Sequence, residues 1–307
     1  MRVALAVVIV AVLGLVGVGA LPQQTAQPGK PAPAPMTIEK VRDNLYFIRG
    51  PFNPATNDAL LHEPGDVAVR VTPDGLIVVD DKFPQHTDDI LRLIKSVSTL
   101  PIKYLLNTHH HADHAGGDAN FINLTEIIGH KNVRENMLRN KIAGAPRIVF
   151  DNEMSVFLGG VEARAIHLGR GHTNGDSVVY FPDLRAVHAG DLLIDGMPFI
   201  DYDNGGTALE WPKTLDKLLQ LDFDVIIPGH GKLLTKADLV QNKTAFEKMN
   251  AKMTDLVKKG VPKDRATAEV KGYLKEIGWD NTVSTMTFLT RSLGPFYDEI
   301  AAAAKRR

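Results

Sequence analysis

The 307-residue chain is 44% hydrophobic and 23% charged, with a formal net charge of -1. Its apolar fraction excludes a disordered chain, and its balanced charge leaves no global field to attract nucleic acid or an anionic membrane. It has no cysteine, which excludes disulfides, thiolate zinc sites, iron–sulfur clusters and cysteine nucleophiles. Any metal must be held by nitrogen and oxygen, and the 11 histidines are the place to look.

The N-terminus reads as a targeting segment. Residues 3–21 carry no charge, and Val18-Gly19-Ala20 supplies the small residues a signal peptidase needs. A signal peptide over 1–20 is expected; the run is almost long enough to span a bilayer, so an uncleaved anchor is the alternative. Residues 21–36 are rich in Pro, Gln and Ala and read as a linker. The folded part is therefore expected outside the cytoplasm, secreted or periplasmic. It divides into a domain over 37–235 and a helical region over 236–307 that packs on it.

Strands are expected at 37–41 and 44–48. A hairpin follows, 67–71 and 76–79, turning through Thr72-Pro73-Asp74-Gly75. Ile90, Leu91, Ile94 and Val97 mark a helix over 88–97, and 102–106 is an apolar strand. Further strands are expected at 126–128, 147–150, 161–168, 177–181, 186–189 and 224–227, with helices at 131–140 and 209–221. Strands that pair locally and then alternate with helices indicate stacked α/β layers. In the tail, Leu239, Phe246, Met249, Met253 and Leu256 define a helix stopped by Gly260 and Pro262. A second helix ends near Gly278, and a third spans 283–293 until Gly294-Pro295 breaks it.

The chemistry is concentrated at strand exits. His109, His111, Asp113 and His114 lie within six residues directly after the 102–106 strand, the place where loops carry function on such scaffolds. His109 and His111 alternate and point one way, while His110 points elsewhere and is a bystander. Three later segments, GHTNGD at 171–176, HAGD at 188–191 and PGHG at 228–231, each place a His or Asp beside glycines at a strand exit. Imidazoles and carboxylates without thiolate suit zinc best, and iron or manganese are tolerable.

In these motifs, together with Val78-Val79-Asp80, the chain resembles the metallo-β-lactamase-fold superfamily over roughly 37–232. The resemblance implies a four-layer αββα sandwich with two zinc ions at one edge of paired sheets. By matching position, His109, His111 and His172 would bind the first ion. Asp113, His114 and His230 would bind the second, and Asp191 would bridge them. Asp80 would orient a ligand. Seven ligands are too many for one structural zinc, so the site would be catalytic. A water shared by the ions would become a hydroxide attacking the carbonyl of a β-lactam, lactone, ester or thioester, with Asp113 orienting it.

The chain departs from the β-lactamases proper, which usually carry Cys or Ser in place of Asp191. Ile194 stands where the Cys type often has a substrate-gripping Lys. Asp at the bridge is similar to glyoxalase II, but no cluster of Arg or Lys flanks the late motifs to grip glutathione. A persulfide dioxygenase-like enzyme and a non-enzymatic metal-binding protein are further alternatives. Only 38 residues separate Asp191 from His230, too few for the inserted domain of the nucleic-acid-cutting members. The expected partner is thus a small-molecule substrate. Two loops would set its identity: 51–64, with Asn53, Asn57 and His62, and 195–207, with Phe199, Tyr202 and Asn204. Tyr202 is a candidate oxyanion donor. The N-terminal reading has its own test: mass spectrometry of protein exported by its native host should show a chain beginning near Leu21, whereas an intact Met1 on a membrane-bound product would indicate the anchor.

Overall fold

The computed structural model describes residues 34–53, 63–197, 199–279 and 283–306. The expected signal peptide, most of the linker, Asn57 and His62 lie outside the described residues. Among those described, no helix is long and apolar enough to cross a membrane.

Two sheets form the centre. The first runs in the order β1 (Thr37–Arg42), β2 (Leu45–Arg49), β3 (Val67–Thr72), β4 (Gly75–Val79), β5 (Ile102–Leu106), β6 (Glu126–His130), β7 (Ile148–Phe150). β1 to β4 pair antiparallel and β4 to β7 pair parallel. The second runs β12 (Val225–Ile227), β11 (Ala186–His188), β10 (Val178–Phe181), β9 (Val161–Ile166), β8 (Glu153–Leu158). Here β11 and β12 are parallel and the other pairs antiparallel.

Alternation along the strands builds the layers. Ala68, Ile77, Val79, Leu106 and Ile128 face Ala163, Ala165, Val179, Phe181 and Ile227 in one core between the sheets. Val67, Val69, Val78 and Leu105 point outward and meet Ile90, Leu93 and Ile94 of α1 (Thr87–Val97). On the far face, Val178, Val187 and Ile226 meet a helical layer. That layer comprises α5 (Trp211–Leu219), α6 (Lys236–Lys258), α7 (Lys263–Tyr273) and α9 (Leu293–Lys305). The result is the expected αββα sandwich. Short helices α2 (Ala112–Ala115), α3 (Asp118–Phe121) and α4 (Lys131–Arg139) lie between strands, and α8 (Val283–Thr287) precedes α9.

Two expectations need correction. β8 was not foreseen; Glu153 and Ser155 alternate with the inward Met154 and Val156, but the pattern is masked by Phe157, an apolar residue on the exposed face, and the strand pairs on one side only, with β9 across Gly159-Gly160. Gly294-Pro295 does not end the third tail helix. Residues Phe288–Ser292 form a π-helical turn, and α9 continues through Pro295 to Lys305. A proline clashes with the carbonyl four residues back, here Arg291, and lacks an N–H. Widening the preceding turn relieves that clash, so the chain stays helical.

The helical region shares the core of the second sheet. α6 starts in a capping box, with Thr235 and Asp238 exchanging side-chain-to-backbone bonds. Its Phe246 is fully buried, stacks on Trp211 of α5 at 4.4 Å and meets Trp279 edge-on at 4.8 Å. Phe246→Ala should therefore destabilise the whole sandwich by about 3–5 kcal/mol. Urea unfolding should show this as one earlier transition; a separate transition for the tail would contradict a shared core.

Candidate metal centre

Strand register aligns the chemistry before any side chain is considered. β11 and β12 pair in parallel with His188 opposite Ile227. Asp191 and His230 each lie three residues beyond that pair, so both emerge at the same sheet edge. In the first sheet Val79 pairs with Leu106, so Asp80 emerges beside the segment that begins Asn107-Thr108-His109. His172 follows β9 in a loop closed by Asp176, whose carboxylate accepts the Thr173 amide.

The seven residues converge in two groups: His109, His111, His172 and Asp191, and Asp113, His114 and His230. In the first, His111 Nδ1 lies 3.1 Å from His109 Nε2 and 2.8 Å from His172 Nε2. Asp191 Oδ2 lies 3.4 Å from His172 Nε2 and 4.0 Å from His109 Nε2. In the second, His114 Nε2 and His230 Nε2 are 3.3 Å apart. Asp113 Oδ2 is 3.6 and 3.4 Å from them. The other oxygen of Asp191, Oδ1, is 3.1 Å from His114 and 3.3 Å from His230. Asp191 thus turns one oxygen to each group. Donors bonded to one tetrahedral zinc at 2.0–2.1 Å lie about 3.3 Å apart, which these spacings bracket.

Every inward ring nitrogen is matched by an outward one that is held. His111 Nε2 meets Asp201 Oδ2 at 2.7 Å, and His172 Nδ1 meets the Phe199 carbonyl at 2.7 Å. His114 Nδ1 meets Asp80 Oδ2 at 2.8 Å, and His230 Nδ1 meets the Glu63 carbonyl at 2.7 Å. His109 Nδ1 meets Thr108 Oγ1 at 3.0 Å. The Thr108 hydroxyl spends its proton on Asp80 Oδ2, so it accepts from His109. Each outward nitrogen therefore carries the proton, and each inward one presents a lone pair.

The electrostatics differ between the two groups. Burial holds His109 well below the ordinary histidine range and His172 at about 4, so both imidazoles are neutral. Burial would also lower His230 and His114, but Asp191 and Asp113 outweigh it, raising His230 to about 9 and His114 well above its ordinary value, so in the second group a cation would take the place of an inward proton. Burial pushes Asp191 up; His230 and His114 outweigh it and hold the carboxylate ionised. Both oxygens of Asp113 and Oδ1 of Asp191 are buried without a hydrogen-bond donor. Buried anionic oxygens with no donor call for a cation. The donor set, five imidazoles and two carboxylates, fits zinc.

Close approach by glycine makes room. A Cβ on Gly229 would collide with Asp191 Oδ1, and one on Gly65 with the His114 ring.

His110 stands outside both groups. It lies behind His111, its ring 4.6 Å away and its Nε2 3.9 Å from Asp201. Both its nitrogens are buried without a partner, and burial lowers its pKa to about 2. His110, His111 and Asp201 form a third group of metal-capable residues. His111 would have to enter it through the nitrogen already given to Asp201.

Tyr202 and Asn204 line a cavity of about 580 Å³ with His110, His111, Phe199 and Arg291. Tyr202 is not free to act as an oxyanion donor, however, because its hydroxyl donates to Glu299 at 2.9 Å. Asp201 escaped the sequence reading although it sits in the expected loop. Burial raises its pKa, but bonds from His111 and Asn204 more than offset this and keep it ionised. No spacing signal links it to His111, 90 residues away; nothing in sequence marks Thr108 either.

The comparisons bear on this geometry. The family description "Metallo-beta-lactamase superfamily" matches residues 66–230. The 2,4-dinitroanisole O-demethylase subunit alpha of Nocardioides sp. (strain JS1661) is 27% identical over 274 residues, 87% of this chain and 76% of its own. Metallo-beta-lactamase type 2 of Elizabethkingia meningoseptica is 28% identical over 197 residues, 61% of this chain and 71% of its own. Among solved structures, a metallo-beta-lactamase from Pontibacter korlensis superposes with a TM-score of 0.62 at 20% identity, covering 69% of this chain and 99% of that one. With the fold, the strand-exit motifs and more than half of the sequence in agreement, the chain belongs to the metallo-β-lactamase superfamily and is a metallo-hydrolase.

Proposed function

We propose that the protein is a dizinc hydrolase of small molecules acting outside the cytoplasm. His109, His111 and His172 would hold one ion, Asp113, His114 and His230 the other, with Asp191 between them. The observation that carries this reading is the set of donorless buried oxygens on Asp113 and Asp191, ringed by imidazoles whose outward nitrogens are all anchored. When bound, two such ions lower the pKa of a water toward 7 and stabilise negative charge developing on the substrate.

The remaining work falls to the chain's own side chains. Asp113 faces the second group and has an oxygen without a hydrogen-bond partner that can accept a proton from the attacking water. Asp80 keeps His114 directed inward and, through Thr108, does the same for His109. The cavity beside His111 positions substrate against Phe199, whose ring stacks on His111 at 5.3 Å. The position where a Cys-type β-lactamase often places its lysine is Ile194, which is buried. The substrate is held by other groups, consistent with a lactone, ester or thioester as readily as a β-lactam. The leader-like residues 3–21 support the extracytoplasmic placement.

A second reading has its own support. Residues 1–235 make up only about 77% of the chain, so a match to the O-demethylase subunit covering 87% runs into the helical tail. The β-lactamase match covers 61%. Cleavage of an activated aryl methyl ether is therefore a competing reaction: water adds at the ring carbon bearing oxygen and methanol departs. Metal analysis with a panel of β-lactams, lactones, thioesters and 2,4-dinitroanisole decides. Two zinc equivalents and turnover of a carbonyl substrate support the first reading. Turnover of the ether alone supports the second, and a single equivalent with full activity overturns the two-ion site.

Variants separate the roles. Asp113→Asn should keep most metal but lose at least about 10²-fold in kcat, as expected for lost proton transfer. Asp191→Asn should lower metal content as well as rate. His110→Phe replaces a buried ring that has no partners, so metal content and fold should persist, with stability changed by less than about 1.5 kcal/mol. Loss of metal in His110→Phe with retention in His109→Ala would displace the assignments along this loop by one residue.

A further inference from the structure

The segment Phe199–Asp201 anchors two of the four residues in the first group. The Phe199 carbonyl takes the His172 Nδ1 proton and the Asp201 carboxylate takes that of His111, each at 2.7 Å. The Asp201 amide donates back to the His172 carbonyl at 2.9 Å. Between them stands Ile200, buried, and its backbone is held by one side chain. The Ile200 amide donates to Ser292 Oγ at 2.8 Å, and Ser292 Oγ donates to the Ile200 carbonyl at 2.9 Å. Ser292 is fully buried and lies 92 residues along the chain, at the end of the π-helical turn. One inserted residue rotates the following side chains by about 100°, so the π turn sets which residue faces Ile200. A second clasp holds the far end of the loop. Glu299 Oε2 accepts from Tyr202 Oη at 2.9 Å and from the Ala208 amide at 3.1 Å, and Oε1 accepts from the Thr207 hydroxyl.

We propose that Ser292 is a positioning residue of the metal centre, fixing through Ile200 the Phe199 carbonyl and Asp201 carboxylate that aim His172 and His111. The helical tail, outside the family match at 66–230, is then a working part of the site and not an appendage. This rests on the first group holding a metal ion. Removing the hydroxyl leaves the buried N–H of Ile200 unpaired and its C=O with the Tyr202 amide alone, at 3.2 Å. The loop then shifts, and two outward anchors shift with it.

The test compares Ser292→Ala with Val270→Ala, a truncation of a buried apolar side chain in α7 that takes no part in the hydrogen bonds of the loop or its clasps. Zinc affinity is measured by chelator competition, and the cobalt-substituted proteins are compared by visible absorption. Ser292→Ala should bind its weaker-held ion about 10- to 100-fold less tightly, the usual cost of a lost outer partner, with an altered cobalt spectrum. Val270→Ala should lower Tm but leave both readouts as in the wild type. Ser292→Thr, which keeps the hydroxyl, should retain affinity better than Ser292→Val of the same shape; this pair serves if the alanine variant does not fold. In the wild type, zinc added to metal-free protein should slow hydrogen exchange of the Ile200 amide. Wild-type affinity and spectrum in Ser292→Ala, equal losses in Val270→Ala, or unchanged exchange at Ile200 overturn the proposal. A wild-type protein that binds no zinc instead overturns the metal reading beneath it.

Discussion

The buried carboxylate of Asp80 governs the state of histidines in both groups. Its Oδ1 accepts the Thr108 amide at 2.8 Å; its Oδ2 accepts the Thr108 hydroxyl and His114 Nδ1 at 2.7 and 2.8 Å. His114 is thereby held with Nε2 as its inward nitrogen, facing Asp191. Thr108, its proton committed, makes His109 a lone-pair donor at Nε2. A single side chain settles one tautomer on each side of Asp191. Its backbone carries a cost: Asp80 has φ 61, a left-handed conformation that costs a non-glycine residue about 1–3 kcal/mol. Parallel pairing of β4 with β5 and the amide bond from Thr108 hold it there. Strain accepted at a strand exit is repaid in orientation, not in stability.

The same logic explains why the centre is costly without a cation. Asp113 buries two oxygens with no donor, and burying polar atoms without a partner costs free energy. A bound cation removes that penalty, so metal binding and folding are linked. The core between the sheets and the cores beneath the helices supply the stability that tolerates such a site.

Much of this was legible in the sequence because strand exits are local events. The 102–106 strand, the hairpin through residues 72–75 and the order of the motifs follow from alternation and turn residues, which depend on near neighbours. The seven converging residues share the same origin, each in a segment that follows a strand. Asp201, Thr108 and Ser292 were not legible. Each acts across 28 to 92 residues through a hydrogen bond that leaves no periodic trace. The bond from Tyr202 to Glu299 is hidden for a related reason: Glu299 belongs to a helix that Gly294-Pro295 is expected to end.

That helix bears on how the family's common centre acquires a particular chemistry. The Pontibacter korlensis structure is covered almost completely while 69% of this chain is used, and the family match ends at residue 230, so the tail lies outside that match. The tail does two things at once. Its π turn delivers Ser292 to the backbone of the loop that anchors His111 and His172, and it sets Arg291 in the wall of the cavity beside His111. The element that shapes the pocket is thus hydrogen-bonded to the element that steadies the metal ligands. If the first group binds an ion as proposed, a change in the tail that moves Ser292 would reach both the pocket wall and the anchors of His111 and His172 through one segment, Phe199–Asp201.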